Sequence, residues 1–133
     1  MHPRTNPRCV CVCVCVCSYT SAVIRDGVIY CANIGDSRVT IATEVGGQLV
    51  AKALTDDHKP DLPEEKARIV AKGGRVFAVR YDDGIDGPPR VWLGHMDVPG
   101  LAMSRSLGDK IAHDAGVSSE PAFTQHTLTA DDK

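Results

Sequence analysis

Val28-Ile29-Tyr30-Cys31-Ala32-Asn33-Ile34-Gly35-Asp36-Ser37-Arg38 is the stretch whose reading decides the fold. Its first seven residues are β-like, and the run stops at Gly35 with a carboxylate on the corner that follows. Upstream, Ser21 to Arg25 is a second β-like run, separated by Asp26-Gly27. An Asp-Gly pair between two such runs predicts a tight hairpin, because both turn positions need positive φ. Downstream, Arg38 to Ala42 is a third run, Gly46-Gly47 a turn, and Gln48 to Leu54 a fourth run. These four strands are expected to form an antiparallel meander.

Further along, Pro63 to Lys72 reads as a helix. Pro63 suits the first helical position, and Glu64-Glu65 meet the positive end of the helix dipole. Ala67, Ile69, Val70 and Ala71 supply a modest apolar stripe. Arg68 and Lys72 lie toward the negative end, and Gly73-Gly74 supplies the stop. Arg75 to Arg80 is again β-like. Residues 81–90 carry three aspartates, two glycines and two prolines, which predicts a mobile surface loop. Val91 to Leu93 is short and apolar, Leu101 to Ser104 reads as a buried strand, Arg105 to Lys110 as a helical turn, and Phe123 to Leu128 as a last strand.

The chain has 133 residues, room for one domain, and 43% of them are apolar. Aromatic residues make up 5%, so the core rests on Val, Ile, Leu and Ala. With 15 basic and 17 acidic residues, charge offers no case for nucleic acid or an anionic membrane. No apolar run approaches the roughly 20 residues that span a bilayer. Five of the six cysteines alternate with valine from Cys9 to Cys17. Three readings compete for this repeat. One is a thiolate cluster for a soft metal. Another is a secretory signal behind Arg4 and Arg8. The favoured one is a low-complexity segment, of the kind a translated (TG)n repeat produces. Cys31 lies in an apolar strand, where a buried free thiol is the ordinary case. Residues 1–17 are therefore set apart as a tail and 18–133 as the folded part.

Asp36 is the first candidate for chemistry. A carboxylate on a tight corner suits a hard cation such as Mg2+ or Mn2+. The structural alternative is a turn cap. Ser104-Arg105-Ser106-Leu107-Gly108-Asp109 holds two serines but no Gly-x-Ser-x-Gly elbow, so neither serine is read as a nucleophile. Arg105 and Asp109 are expected to form a buried ion pair or a turn brace. Asp82, Asp83 and Asp86 do not match the calcium-loop spacing.

Several short segments occur in a fixed order: Ala32 to Arg38, then Asp57-His58-Lys59-Pro60, then Arg68-Ile69 with Gly73-Gly74, then Gly100-Leu101-Ala102-Met103-Ser104-Arg105-Ser106-Leu107-Gly108-Asp109. In this order and spacing they resemble the central part of a PPM-type (PP2C-like) metal-dependent protein serine/threonine phosphatase, from about Ser18 to the C-terminus. Ser18-Tyr19-Thr20-Ser21-Ala22 resembles the family's Ser-Gly-Thr-Thr-Ala strand start, with Tyr19 where glycine is usual. The resemblance implies an α+β fold, a fragment of an α-β-β-α sandwich of antiparallel sheets. It implies that Asp36 contributes to an additional, weaker metal site rather than to the tightly held metal pair. It places Lys59 near the flap beside the active-site cleft, where a point charge can attract a phosphorylated side chain. It aligns Arg90 with a flap-region arginine, whose guanidinium suits bidentate phosphate pairing. For Lys59 and Arg90 the alternative is a solvated surface cation. His58 is not taken as a general acid, because the family's histidine for that role belongs to a different motif. The segment 104–109 is structural in the family.

The family's chemistry uses two metal ions bridged by aspartates to activate a water. The Asp-Gly-His-Gly-like, Asp-Gly-x-Trp and Asp-Asn motifs that supply those aspartates are absent here. The expectation is thus a fragment of a Mg2+/Mn2+-dependent phosphatase that acts on phosphorylated proteins and is inactive alone, with an incomplete cation site. The alternatives are a non-catalytic pseudophosphatase serving as a protein-binding module, and a cysteine-rich metal-binding peptide fused to a degenerate domain. Unpaired strand edges would leave the isolated chain poorly soluble or only partly ordered. Cytosol or nucleus is the default location.

Overall fold

Asp26 and Gly27 have φ of 51° and 76°, the paired positive values that the hairpin reading requires. They join β1 (Tyr19–Arg25) to β2 (Val28–Ile34), with Arg25 opposite Val28 and Tyr19 opposite Ile34. The computed structural model describes residues 17–82 and 84–133, with backbone alone for 81, 85 and 86. The repeat from Cys9 to residue 16 lies outside the described residues, and so do the three readings of it. Gly46-Gly47 closes a second hairpin between β3 (Thr40–Val45) and β4 (Gln48–Ala53). The helix α1 (Pro63–Ala71) starts at Pro63 and stops where Gly73 and Gly74 donate to the carbonyls of Val70 and Ile69.

The expected four-stranded meander does not form. β2 pairs on its second edge with β8 (Ala122–Thr127), Val28 opposite Thr127 and Asn33 opposite Ala122, while β3 and β4 stand apart as a two-stranded ribbon. Gly35, at φ 94°, turns the chain away from the sheet, which leaves that edge of β2 free for the C-terminal strand. The predicted loop at 81–90 is also corrected. β5 (Arg75–Tyr81) pairs with β6 (Gly84–Trp92) through most of it. Between the pairs Phe77↔Arg90 and Val79↔Asp86 the ladder shifts, so Ala78 faces Gly87, Pro88 and Pro89 together. The prolines, which lack an N–H, fall where the ladder is interrupted. β7 (Pro99–Leu101) is the third strand of that sheet and ends where a strand was expected to begin. The helical turn forms later, as α2 (Lys110–Asp114), because Asp109 at φ 50° accepts from the Ala112 N–H and caps it.

The result is an α+β fold of antiparallel sheets. Ile69 of α1, Val91 of β6 and Ala112 of α2 are fully buried together, with Ala115 and Val117 beside them. Burying Ile69 and Val91 contributes about 1.5–3 kcal/mol each. Gly74 lets α1 and α2 meet: a Cβ there would lie 2.0 Å from the Ala115 carbonyl oxygen. Trp92 stacks on Phe77 at 5.1 Å and donates from Nε1 to the Phe77 carbonyl at 3.0 Å. The β1-β2-β8 sheet is less covered. Cross-strand register puts Tyr19, Val23, Tyr30 and Phe123 on one face, and among the described residues nothing shields them; Phe123 is 76% exposed. None of the described helices is long and apolar enough to cross a membrane.

Candidate functional site

The corner after β2 is locked to the segment 55–59. Gly35 donates to His58 Nδ1 at 3.1 Å and accepts from the His58 N–H at 2.9 Å. Side chain and backbone of one residue thus hold the corner from both sides. A Cβ at Gly35 would lie 2.6 Å from the Ser18 Cβ, so no other residue fits. Asn33, buried in β2, accepts from Thr20 and donates to the Asp56 carbonyl at 2.8 Å. Thr55 accepts from the Val39 N–H, and Arg38 donates from Nε to Asp57 at 2.9 Å. The hydrogen bond from Arg38 holds the Asp57 carboxyl below its ordinary value.

This framework aims Asp36 at Lys59. The Lys59 ammonium donates to Asp36 Oδ2 at 2.7 Å, with the two side chains 39% and 34% exposed. Two residues singled out separately in the sequence are therefore one ion pair. Arg90 is elsewhere: it sits in β6 opposite Phe77 and donates from Nη1 to the Gly100 carbonyl at 2.8 Å, bracing β6 against β7. The structure does not join it to the Asp36–Lys59 pair by a hydrogen bond or ion pair.

His58 is 5% exposed. Burial, with the nearby Arg105 charge adding to it, pushes its pKa down, so the ring is neutral near pH 7. Because Nδ1 accepts from Gly35, the ring proton sits on Nε2. His58 lines a cleft of about 420 Å³ with Asp56, Leu62, Glu65 and Arg105, and neither Asp36 nor Lys59 is on its walls.

The sequence reading missed the centre of charge in this fold. Glu65, on the buried face of α1, accepts from Arg68 Nη2 at 2.8 Å and from Arg105 Nη2 at 2.6 Å. Arg105 was expected to meet Asp109; it reaches Glu65 instead, because Asp109 is committed to the α2 cap. Burial pushes the Glu65 carboxyl up, but the hydrogen bonds from Arg68 and Arg105 outweigh it and bring the pKa down to about 2. Arg68 also donates to the Ser104 and Gly116 carbonyls, and Ser104 N–H donates to the His58 carbonyl. These bonds link α1 to Ser104 and, through His58, to the Asp36 corner. The Glu65–Arg68 spacing of three was the visible signal.

A hard divalent cation takes about six oxygen ligands. Asp36 offers one carboxylate, half of it already engaged by Lys59. Among the described residues, no group of three or more His, Cys, Asp or Glu side chains is placed to hold a metal ion. The described residues do not by themselves fit the metal centre that the resemblance implies.

A family model described as Protein phosphatase 2C matches residues 6–133. The chain belongs to the protein phosphatase 2C family. Among curated phosphatase 2C proteins it is 46% identical over 112 residues to the Arabidopsis thaliana "Probable protein phosphatase 2C 73", covering 83% of this chain and 29% of that one. It is 47% identical over 107 residues to the Oryza sativa subsp. japonica "Probable protein phosphatase 2C 64", covering 79% and 24%. Its fold matches a serine-threonine phosphatase 2C from Toxoplasma gondii with TM-score 0.70 and 29% identity, over 84% of this chain and 37% of that one. A C. elegans sex determining protein matches with TM-score 0.61 and 25% identity, over 80% and 22%. The chain thus spans less than a third of the length of these plant relatives.

Proposed function

We propose that this chain is the central part of a Mg2+- or Mn2+-dependent phosphatase that hydrolyses phosphoserine and phosphothreonine in proteins, and that the chain alone does not turn over. The family match supports the activity of the whole protein. One observation supports the second half: among the described residues, no group of three or more His, Cys, Asp or Glu side chains is placed to hold a metal ion with the strand-corner carboxylate. In this reading Asp36 is the chain's contribution to a cation site. Arg90, partly exposed on β6, the central strand of the β5-β6-β7 sheet, is a phosphate-side cation in the assembled domain. Lys59 adds positive charge beside Asp36. A Mn2+-dependent phosphopeptide assay on residues 1–133 tests it. No turnover is expected, and turnover abolished by Asp36→Ala would overturn it.

A second reading rests on the uncovered apolar face of Tyr19, Val23, Tyr30 and Phe123. A non-catalytic member of the family would use such a face to bind protein. Genomic sequence on both sides separates the two. In-frame Asp-Gly-His-Gly upstream and Asp-Gly-x-Trp downstream support the enzyme, and stop codons there support the binding module.

A further inference from the structure

Arg68 uses three of its five N–H donors inside the fold: Nε on the Gly116 carbonyl, and Nη2 on the Ser104 carbonyl and on Glu65. The two N–H groups of Nη1 have no acceptor among the described residues. Arg68 lines an open cleft of about 260 Å³ between the end of α1, α2 and the segment 116–119. Lys72 lines it too, exposed and in no ion pair among the described residues. From α2, His113 donates through Nε2 to the Ser106 carbonyl, which leaves Nδ1 over. Ser118 Oγ accepts from the Glu120 N–H, so its own O–H remains to donate.

Among the described residues, no acidic side chain lines this cleft. In a chain with 17 acidic residues against 15 basic ones, that is a local reversal of the overall charge. The carbonyls at the two helix ends, which would repel an anion, are engaged. Gly74 and Gly73 donate to Ile69 and Val70 of α1, and Gly116 and Val117 donate to His113 and Ala112 of α2. Gly116 also brings the wall close, since a Cβ there would lie 2.9 Å from the Ile69 Cα. A guanidinium fixed at three donors is already oriented for oxygen ligands, and an ammonium on a flexible stem adds a second charge. Cations, a hydroxyl and an imidazole on several sides suit a phosphate group, with three acceptor oxygens and nearly two charges, better than a planar carboxylate.

We propose that this cleft is a phosphate-binding site, which takes free inorganic phosphate or the phosphate group of a phosphorylated side chain. Asp36, Lys59 and Arg90 are not among its lining residues, so the site stands without the roles given to them above.

Titration of the full chain with inorganic phosphate, at constant ionic strength and with no divalent metal added, tests the proposal without reference to activity. The readout is the amide shifts of Gly116 and Ser119 in proton–nitrogen correlation spectra, which should move and saturate. Lys72→Gln should weaken binding about fivefold, the scale of one partly exposed ion pair, and Lys72→Arg should restore most of it. Ser119→Glu adds a like charge to the wall and should weaken binding by a similar factor. Both positions are exposed, and if Lys72→Gln loses its far-UV dichroism, Ser119→Glu decides alone. A phosphoserine peptide and its unphosphorylated form separate the two sources. Tighter binding of the phosphopeptide than of inorganic phosphate, with the unphosphorylated form inert, assigns the site to phosphorylated segments. Equal or weaker binding of the phosphopeptide assigns it to the free ion. The proposal is overturned if neither ligand gives saturable shifts, if both variants bind as the unaltered chain does, or if acetate binds as tightly as phosphate.

Discussion

Replacing Glu65 by glutamine removes the charge on which two guanidinium groups converge, while keeping size and shape. The side chain is 4% exposed, and Arg68 and Arg105 are 29% and 20% exposed. Its carboxyl falls from 4.5 to about 2 in the folded chain. At about 1.4 kcal/mol per unit, that drop corresponds to roughly 3–4 kcal/mol favouring the charged form. Breaking a fully buried ion pair costs roughly 3–5 kcal/mol, and the partial exposure of both arginines brings the figure toward the lower end. A loss of about 2–3 kcal/mol is therefore expected at pH 7. Trp92, the single tryptophan, is buried in the neighbouring sheet, so urea unfolding followed by its fluorescence reports on this part of the fold. The pH dependence carries the same signature. Glu65 has a depressed folded pKa, so its contribution is complete above the unfolded value of 4.5 and is lost as pH falls toward about 2. The unaltered chain should lose this stability between about pH 5 and pH 2, and Glu65→Gln should lack that component. A variant within about 0.5 kcal/mol of the unaltered chain at pH 7, with the same acid profile, would refute the reasoning.

Gly74→Ala drives a methyl group to 2.0 Å from the Ala115 carbonyl oxygen, and should cost about 1–3 kcal/mol in the same urea experiment. A loss under about 0.5 kcal/mol would mean that α1 and α2 do not pack this closely. Tyr30→Thr with Phe123→Lys replaces apolar surface on the open face of β2 and β8. It should reduce self-association in light scattering while changing the Trp92 transition by no more than about 0.5 kcal/mol. Unchanged scattering would show that this face does not drive self-association.

Local geometry was legible where one or two residues dictate it. Asp26-Gly27 and Gly46-Gly47 announced two hairpins, and Pro63 with Gly73-Gly74 bounded the helix, because φ preferences act on the residues that carry them. Sheet membership was not legible. The choice of β8 rather than β3 as the partner of β2 joins Val28 to Thr127, and no local signal records so distant a pairing. β6 read as a loop because Pro88 and Pro89 argue against a strand. The bulge that absorbs them depends on β5 lying alongside. At the site, the motif order identified the family and singled out Asp36 and Lys59. That the two pair with each other depends on the Gly35–His58 lock, which the sequence does not display. Arg105 was expected to meet a neighbour four residues away and meets Glu65, 40 residues away, because burial of the helix face decides which carboxylate is within reach.

The central claim concerns which ligands this chain supplies. Equilibrium dialysis of residues 1–133 against micromolar manganese, with the bound metal counted per chain, tests it most directly. The account predicts no stoichiometric retention at that concentration. Two manganese ions held tightly by each chain would contradict it, because Asp36 would then belong to a complete centre built from residues already present.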